Sequence, residues 1–159
     1  MSDIREKTVN GQNTADPGVL VRETGTGRFT QEILSGRHVL TADEPVAAGG
    51  GDAGPGPYEY LLAALGACTA MTLRMYAERK KWNLTRVSVR LSHAKIHAQD
   101  CADCETKIGL VDRIERDIAL DGALSADEIA ALMAIADKCP VHRTLTSEIS
   151  IVTRRVAAA

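Results

Sequence analysis

The sequence predicts an α+β fold, and three features of it carry that prediction. Short alternating segments over residues 19–41 are broken at glycines, as strands joined by tight turns are. Residues 57–73 form a nearly unbroken run of small and aliphatic side chains, the composition of a helix buried on most sides. Ser125-Ala-Asp-Glu128 is a capping box, and Ile129, Leu132, Met133 and Ala136 follow it at helical spacing. Strands, a long helix, further strands and a second helix make an architecture in which helices back antiparallel sheets.

Taken in order, residues 1–18 read as a loose polar tail without the apolar segment of a signal peptide. One domain is expected over residues 19–159. It opens with "VLVRET", a Gly-Thr-Gly turn, "RFTQEIL", a Ser35-Gly36 break and "RHVLT". Residues 42–57 are rich in glycine and proline and lack the Gly-Lys-Ser/Thr ending of a phosphate loop, which leaves a connector. A helix is expected over 57–80, with Pro57 in its first turn and Glu59 facing the positive end of its dipole. Gly66 costs such a helix about 1 kcal/mol, so close approach of another backbone is expected there. The polar end "RMYAERKK" reads as a solvated face. Val87, Val89 and Leu91 alternate in one strand, and Ile114, Ile118 and Leu120 in another. The second helix is expected over 126–138, ending at Cys139-Pro140, and "EISIVTR" (148–154) as a closing strand.

Composition excludes several classes of function. Aromatic residues make up 3% of the chain, too few for a platform on which nucleic-acid bases stack. A net charge of −2 suits neither a polyanion nor an anionic membrane surface. The longest strictly apolar run falls short of the roughly 20 residues that cross a bilayer. The expectation is a cytoplasmic protein with no nucleic-acid or membrane partner, in which thiols stay reduced unless they serve redox or metal chemistry.

Cys68 lies inside the first helix and Cys139 at the end of the second, so only the fold can bring them together. Sequence alone leaves that pairing open. A thiol among Leu and Ala is inert unless a cation stabilises its thiolate, and a buried cation in turn needs a carboxylate. Arg28, beside the Gly-Thr-Gly turn, and Glu59 are nominated for those two tasks, with Arg22 and Arg37 as alternatives to Arg28. A Cys68–His142 hydrolase oriented by Glu59 lacks any sign of an oxyanion site.

"GPYEYLLAALGACTAM" followed downstream by "ADKCPVHRTL" resembles the OsmC/Ohr family of organic hydroperoxide reductases and osmotically induced relatives, over roughly residues 19–156. The resemblance implies an intertwined homodimer, with antiparallel sheets wrapped around two central helices. It also implies a cysteine-based thiol peroxidase without a cofactor. Cys68 would attack the organic hydroperoxide and become a sulfenic acid, and Cys139 would resolve it as a disulfide. A dithiol reductant, lipoyl-type or a small thiol, would restore the pair. Glu59 would hold the activating arginine, Arg28. In the hydroperoxide reductases that glutamate directly follows the proline, where Tyr58 stands here; Glu59 is about 100° further round the helix.

A second cluster lies outside that pattern. His93, His97, Cys101 and Cys104 have spacings compatible with a tetrahedral zinc site, an accessory redox pair, or simple packing. His142, three positions after Cys139, reads as a proton-transfer aid or a surface residue. The alternative function is a stress-associated or small-molecule-binding protein that keeps the fold with little or no peroxidase activity.

Overall fold

The computed structural model describes residues 18–157, so the tail expected over residues 1–18 falls, but for Gly18, outside the described residues. The described chain forms two compact units, residues 18–56 with 150–157 and residues 57–149.

The first unit is a three-stranded antiparallel meander of β1 (Val19–Glu23), β2 (Gln31–Ser35) and β3 (His38–Ala42). The register runs from Val19↔Ser35 to Glu23↔Gln31 and from Gln31↔Ala42 to Ser35↔His38. Gly36, at φ +57°, gives the β2–β3 turn the left-handed backbone that other residues adopt at a cost. The expected strand "RFTQEIL" begins later than its pattern suggested. Residues 24–30 make a wide turn instead, closed by the Thr24 N–H donating to the Thr30 carbonyl at 3.1 Å.

The glycine-rich connector is an organised loop built on one carboxylate. Asp43 is 2% exposed, and it accepts bonds from the Thr30 hydroxyl (3.2 Å) and from the N–H groups of Glu44 (2.9 Å), Gly51 (3.1 Å) and Ala53 (3.2 Å). Burial pushes its carboxyl up, but these bonds outweigh that effect and hold it below the usual aspartate value. A single 3₁₀ turn, Val46–Ala48, lies inside the loop and ends on Gly49 at φ +87°. A Cβ on Gly50 would stand 1.9 Å from the Glu44 carbonyl oxygen, so the loop closes only around a glycine there.

The second unit is a long hairpin with helices on it. α1 spans Pro57–Lys80, as expected. It ends with Lys81 in the left-handed region (φ 59°), while the Trp82 N–H reaches back to the Ala77 carbonyl at 2.9 Å. β4 (Asn83–His97) and β5 (Leu110–Ala123) pair antiparallel from Asn83↔Ala123 to His97↔Leu110, each longer than its alternating segment indicated. The ladder slips between Leu84 and Arg86, where Arg74 donates to the freed carbonyls of Leu84 and, at 3.1 Å, Thr85. α2 (Ala126–Ala136) starts at the expected capping box, with both reciprocal bonds formed.

Leu73, Ala77, Leu84, Leu132 and Ala136 form the core of this unit, with Tyr76, Trp82, Val87, Ile118 and Leu120 packed around it. α1 is not buried on most sides within the chain. One stripe, Leu65, Gly66, Thr69, Leu73 and Ala77, faces inward, while Met71 (65%) and Met75 (70%) stand exposed. By length and composition α1 could cross a membrane; within the described residues its inward stripe packs on β4, α2 and α3. At Gly66 the close approach is by a side chain rather than a backbone: a Cβ there would meet Leu91 Cδ1 at 2.8 Å.

Two expectations at the C-terminal end are corrected. α2 stops at Ala136, and Pro140 begins a new short helix, α3 (Pro140–Leu145), because its fixed φ and missing N–H suit a first turn. "EISIVTR" is not a strand among the described residues. Its apolar residues satisfy the pattern, but a strand exists only where a ladder partner takes up its backbone groups.

Two outcomes test this description. Leu132→Ala should destabilise the second unit by about 3 kcal/mol, read from chemical denaturation, because the side chain is wholly enclosed. Asp43 has a lowered folded-state pKa, so its stabilisation is present above the unfolded value near 3.9 and fades as pH falls through the folded one. Asp43→Ala should therefore lower the melting temperature at pH 7 and flatten its decline in acid.

Candidate active site

The second unit brings the two remote thiols together. Cys68 lies in α1, half-buried, and Cys139 lies wholly enclosed as the N-cap of α3 rather than at the end of α2. Both are free thiols, and the Cys68 thiol is a hydrogen-bond partner of the Cys139 sulfur. The capping position gives Cys139 a donor from the backbone: the His142 N–H points at Sγ at 3.3 Å. Thr69, the residue after Cys68 and fully buried, places its hydroxyl 3.6 Å from the same sulfur.

A cation is present, and it is Arg116. Its Nη1 donates to Thr69 Oγ1 at 2.9 Å and to the Ala136 carbonyl at 3.2 Å. Its Nη2 donates to Asp137 Oδ1 at 2.7 Å. The side chain is 12% exposed, so the carboxylate satisfies a charge that would otherwise be costly to enclose. His142 Nδ1 lies 3.9 Å from that same carboxylate oxygen. Burial pushes the Cys139 thiol up, but the His142 N–H, the Thr69 hydroxyl, the Cys68 thiol and the Arg116 charge together outweigh it. The Cys139 thiol is thereby held below its ordinary value.

Arg116 and Asp137, which the sequence reading did not nominate, place a guanidinium and its carboxylate near Cys139. A signal for Arg116 was there. It occupies the inward-facing position between Ile114 and Ile118 in the alternation of β5, where a charged residue needs a reason. Arg28 stands in the first unit, with its guanidinium over the Phe29 ring at 4.8 Å. Glu59 is nine positions before Cys68 on α1, roughly 13 Å along the axis and on the opposite face.

A cavity of about 400 Å³ opens at Arg116 and His142, with Leu65, Ile114 and Leu145 as apolar wall and Arg116, Asp112, Asp137 and His142 as polar wall; neither cysteine is on that wall. It has room for a small organic molecule with one polar end. The Lys95 ammonium, and then His93, hold the Asp112 carboxyl below the usual value.

The zinc reading of residues 93–104 is not supported. Cys101 and Cys104 form a disulfide, and His93 is engaged with Asp112 at 2.8 Å and stacked on Tyr58 with ring centroids 4.5 Å apart. Among the described residues no cluster of three His, Cys, Asp or Glu side chains is placed to hold a metal.

Comparison with known proteins agrees with this architecture. The family model for OsmC-like proteins matches residues 49–154, two thirds of the chain. No curated protein matches the chain. The fold is similar to that of an OsmC-like protein from Mycoplasma pneumoniae, at 21% identity and a TM-score of 0.62, over 83% of this chain and 88% of that one. An organic hydroperoxide resistance protein OsmC from Legionella pneumophila is similar at 22% identity and a TM-score of 0.57, over 80% and 87%. The organic hydroperoxide resistance protein OhrB of Bacillus subtilis is similar at 18% identity and a TM-score of 0.55, over 81% and 89%. On the strength of the family match and the shared fold, this chain belongs to the OsmC-like protein family.

Proposed function

We propose that this protein is a cysteine-based thiol peroxidase for organic hydroperoxides, working as a cytoplasmic homodimer of one domain, residues 19–159. The observation that carries the proposal is the juxtaposition of two free thiols, one half-buried and one enclosed and held below the ordinary thiol value by its neighbours. The difference in exposure supports the division of roles. Cys68 meets the hydroperoxide, and Cys139, which nothing in the solvent touches, resolves it.

The steps balance as follows. The Cys139 thiolate takes the Cys68 proton, and the Cys68 thiolate attacks the distal peroxide oxygen. The O–O bond breaks, the alkoxide takes the proton from Cys139 and leaves as alcohol, and Cys68 is left as a sulfenic acid. The Cys139 thiolate then attacks that sulfur, and the departing hydroxide is protonated to water from solvent. A dithiol, lipoyl-type or small, returns two electrons and two protons. Arg116 and the His142 N–H offset the charge on sulfur throughout, and the apolar wall of the cavity admits the alkyl portion. The family resemblance also implies catalytic parts for Arg28 and Glu59, with Glu59 on the face of α1 opposite Cys68. The exposed side of α1, with Ala63, Ala67, Met71 and Met75, supplies an apolar surface for a second copy to cover.

One equivalent of an alkyl hydroperoxide should lower the intact mass of the reduced protein by about 2 Da, with the bridge mapping to Cys68 and Cys139. Inertness together with stoichiometric capture of an apolar small molecule would favour the binding-protein alternative. Cys139→Ser should trap a sulfenic acid on Cys68 that dimedone labels, and turnover with a dithiol should fall at least tenfold. Because the Cys139 thiol is held low and serves as the base, the acid limb of the single-turnover rate should lie below the ordinary thiol value of 9.0. Arg116→Met should move that limb to higher pH and slow peroxide reduction by roughly 10²-fold. Sedimentation of the full chain should show a dimer, which Met71→Glu dissociates.

A further inference from the structure

The Cys101–Cys104 disulfide sits in the loop joining β4 to β5, and neither the thiol pair nor the core accounts for it. A bridge between residues three apart restrains an unfolded chain least of all, and this loop does not need a staple. Its ends are already fixed by the His97↔Leu110 pairing and by the Ala98 N–H donating to the Gly109 carbonyl at 2.8 Å. Ala98 is buried beneath it, and Lys107 Nζ donates to the Cys104 carbonyl at 2.6 Å. Further down, the Tyr58–His93 stack and the Lys95–Asp112 ion pair pin the hairpin.

Both cysteines are half-buried residues in a loop whose neighbours are exposed, which leaves the bridge open to a partner thiol. Six register positions separate the end of the ladder from Leu91↔Arg116, roughly 20 Å, so the bridge is out of reach of Cys68 and Cys139 of its own chain. Its surroundings are selective. Asp100, Asp103 and Glu105 are exposed around it against Lys107, and Ile108 is 88% exposed beside it.

We propose that Cys101–Cys104 is a second thiol–disulfide exchange centre, whose partner is a dithiol carried on a protein surface with basic and apolar residues. A partner thiolate attacks one bridge sulfur to give a mixed disulfide, and the partner's second thiol displaces it. The partner is oxidised to a disulfide, and Cys101 and Cys104 leave as two thiols, having gained two electrons and two protons. In the reverse reaction the partner's disulfide is reduced to its dithiol and the Cys101–Cys104 bridge re-forms. This inference does not rest on peroxide chemistry at Cys68.

The test uses the full wild-type chain, equilibrated in a series of reduced and oxidised glutathione mixtures, quenched in acid, alkylated and digested. The tryptic peptide 96–107 carries both cysteines and reports the tip apart from the thiol pair. It should pass from bridged to doubly alkylated within the series, with the circular dichroism unchanged. A bridge that persists at every ratio until the protein is denatured, or thiols that never close, overturns the exchange centre. Reduction by cationic cysteamine should outpace that by anionic 3-mercaptopropionate several-fold at low salt, and the gap should close near 1 M salt. Equal rates at low salt overturn the basic partner.

Discussion

One guanidinium holds the reactive part of this molecule together. Arg116 rises from β5, binds Thr69 on α1, and closes over the carbonyl of Ala136 and the carboxylate of Asp137 at the end of α2. Three elements converge on a charge that water barely reaches, so each must stay where it is for the ion to remain satisfied. The same bonds that fix the helices also turn the Thr69 hydroxyl and a positive field toward the Cys139 sulfur. Structure and reactivity here share one set of contacts, and a loss of either would be felt in the other.

The parts of the fold that were legible in the sequence are those decided locally. The Pro57 start and basic end of α1, the Ser125–Glu128 capping box and the glycine turns of the first unit are each settled within a few residues. What escaped depends on partners distant in the chain. The 148–154 segment alternates as a strand should, but alternation describes a face and does not supply a neighbour to bond with. Cys139 looked like the last residue of one helix and is the cap of the next, because Pro140 ends a helical pattern and begins one with the same ring. The two thiols stand out in the sequence by their motifs, whereas Arg116 and Asp137 are brought near Cys139 only by the packing of α1, β5 and α2.

The asymmetry of α1 shapes what the chain can do. Its inner stripe builds the core and carries Thr69 into the site, while its outer side is apolar and bare. Cys68, half-buried between those two sides, sits at the boundary of the folded unit, where a ligand or a second chain can add a wall. Asp43 does comparable work in the first unit by a different route. There a single carboxylate collects the backbone of a loop that has almost no side chains of its own to pack.

Thr69 has one hydroxyl hydrogen and two acceptors within reach of it, the Leu65 carbonyl at 2.8 Å and the Cys139 sulfur at 3.6 Å. Arg116 already fills the oxygen's accepting side, so the hydrogen must choose. A hydroxyl turned to an anionic sulfur would give up its bond to the Leu65 carbonyl, and one beside a neutral sulfur would keep it. The backbone of the helix would then register the charge on the sulfur as a change in the stretching frequency of a single amide.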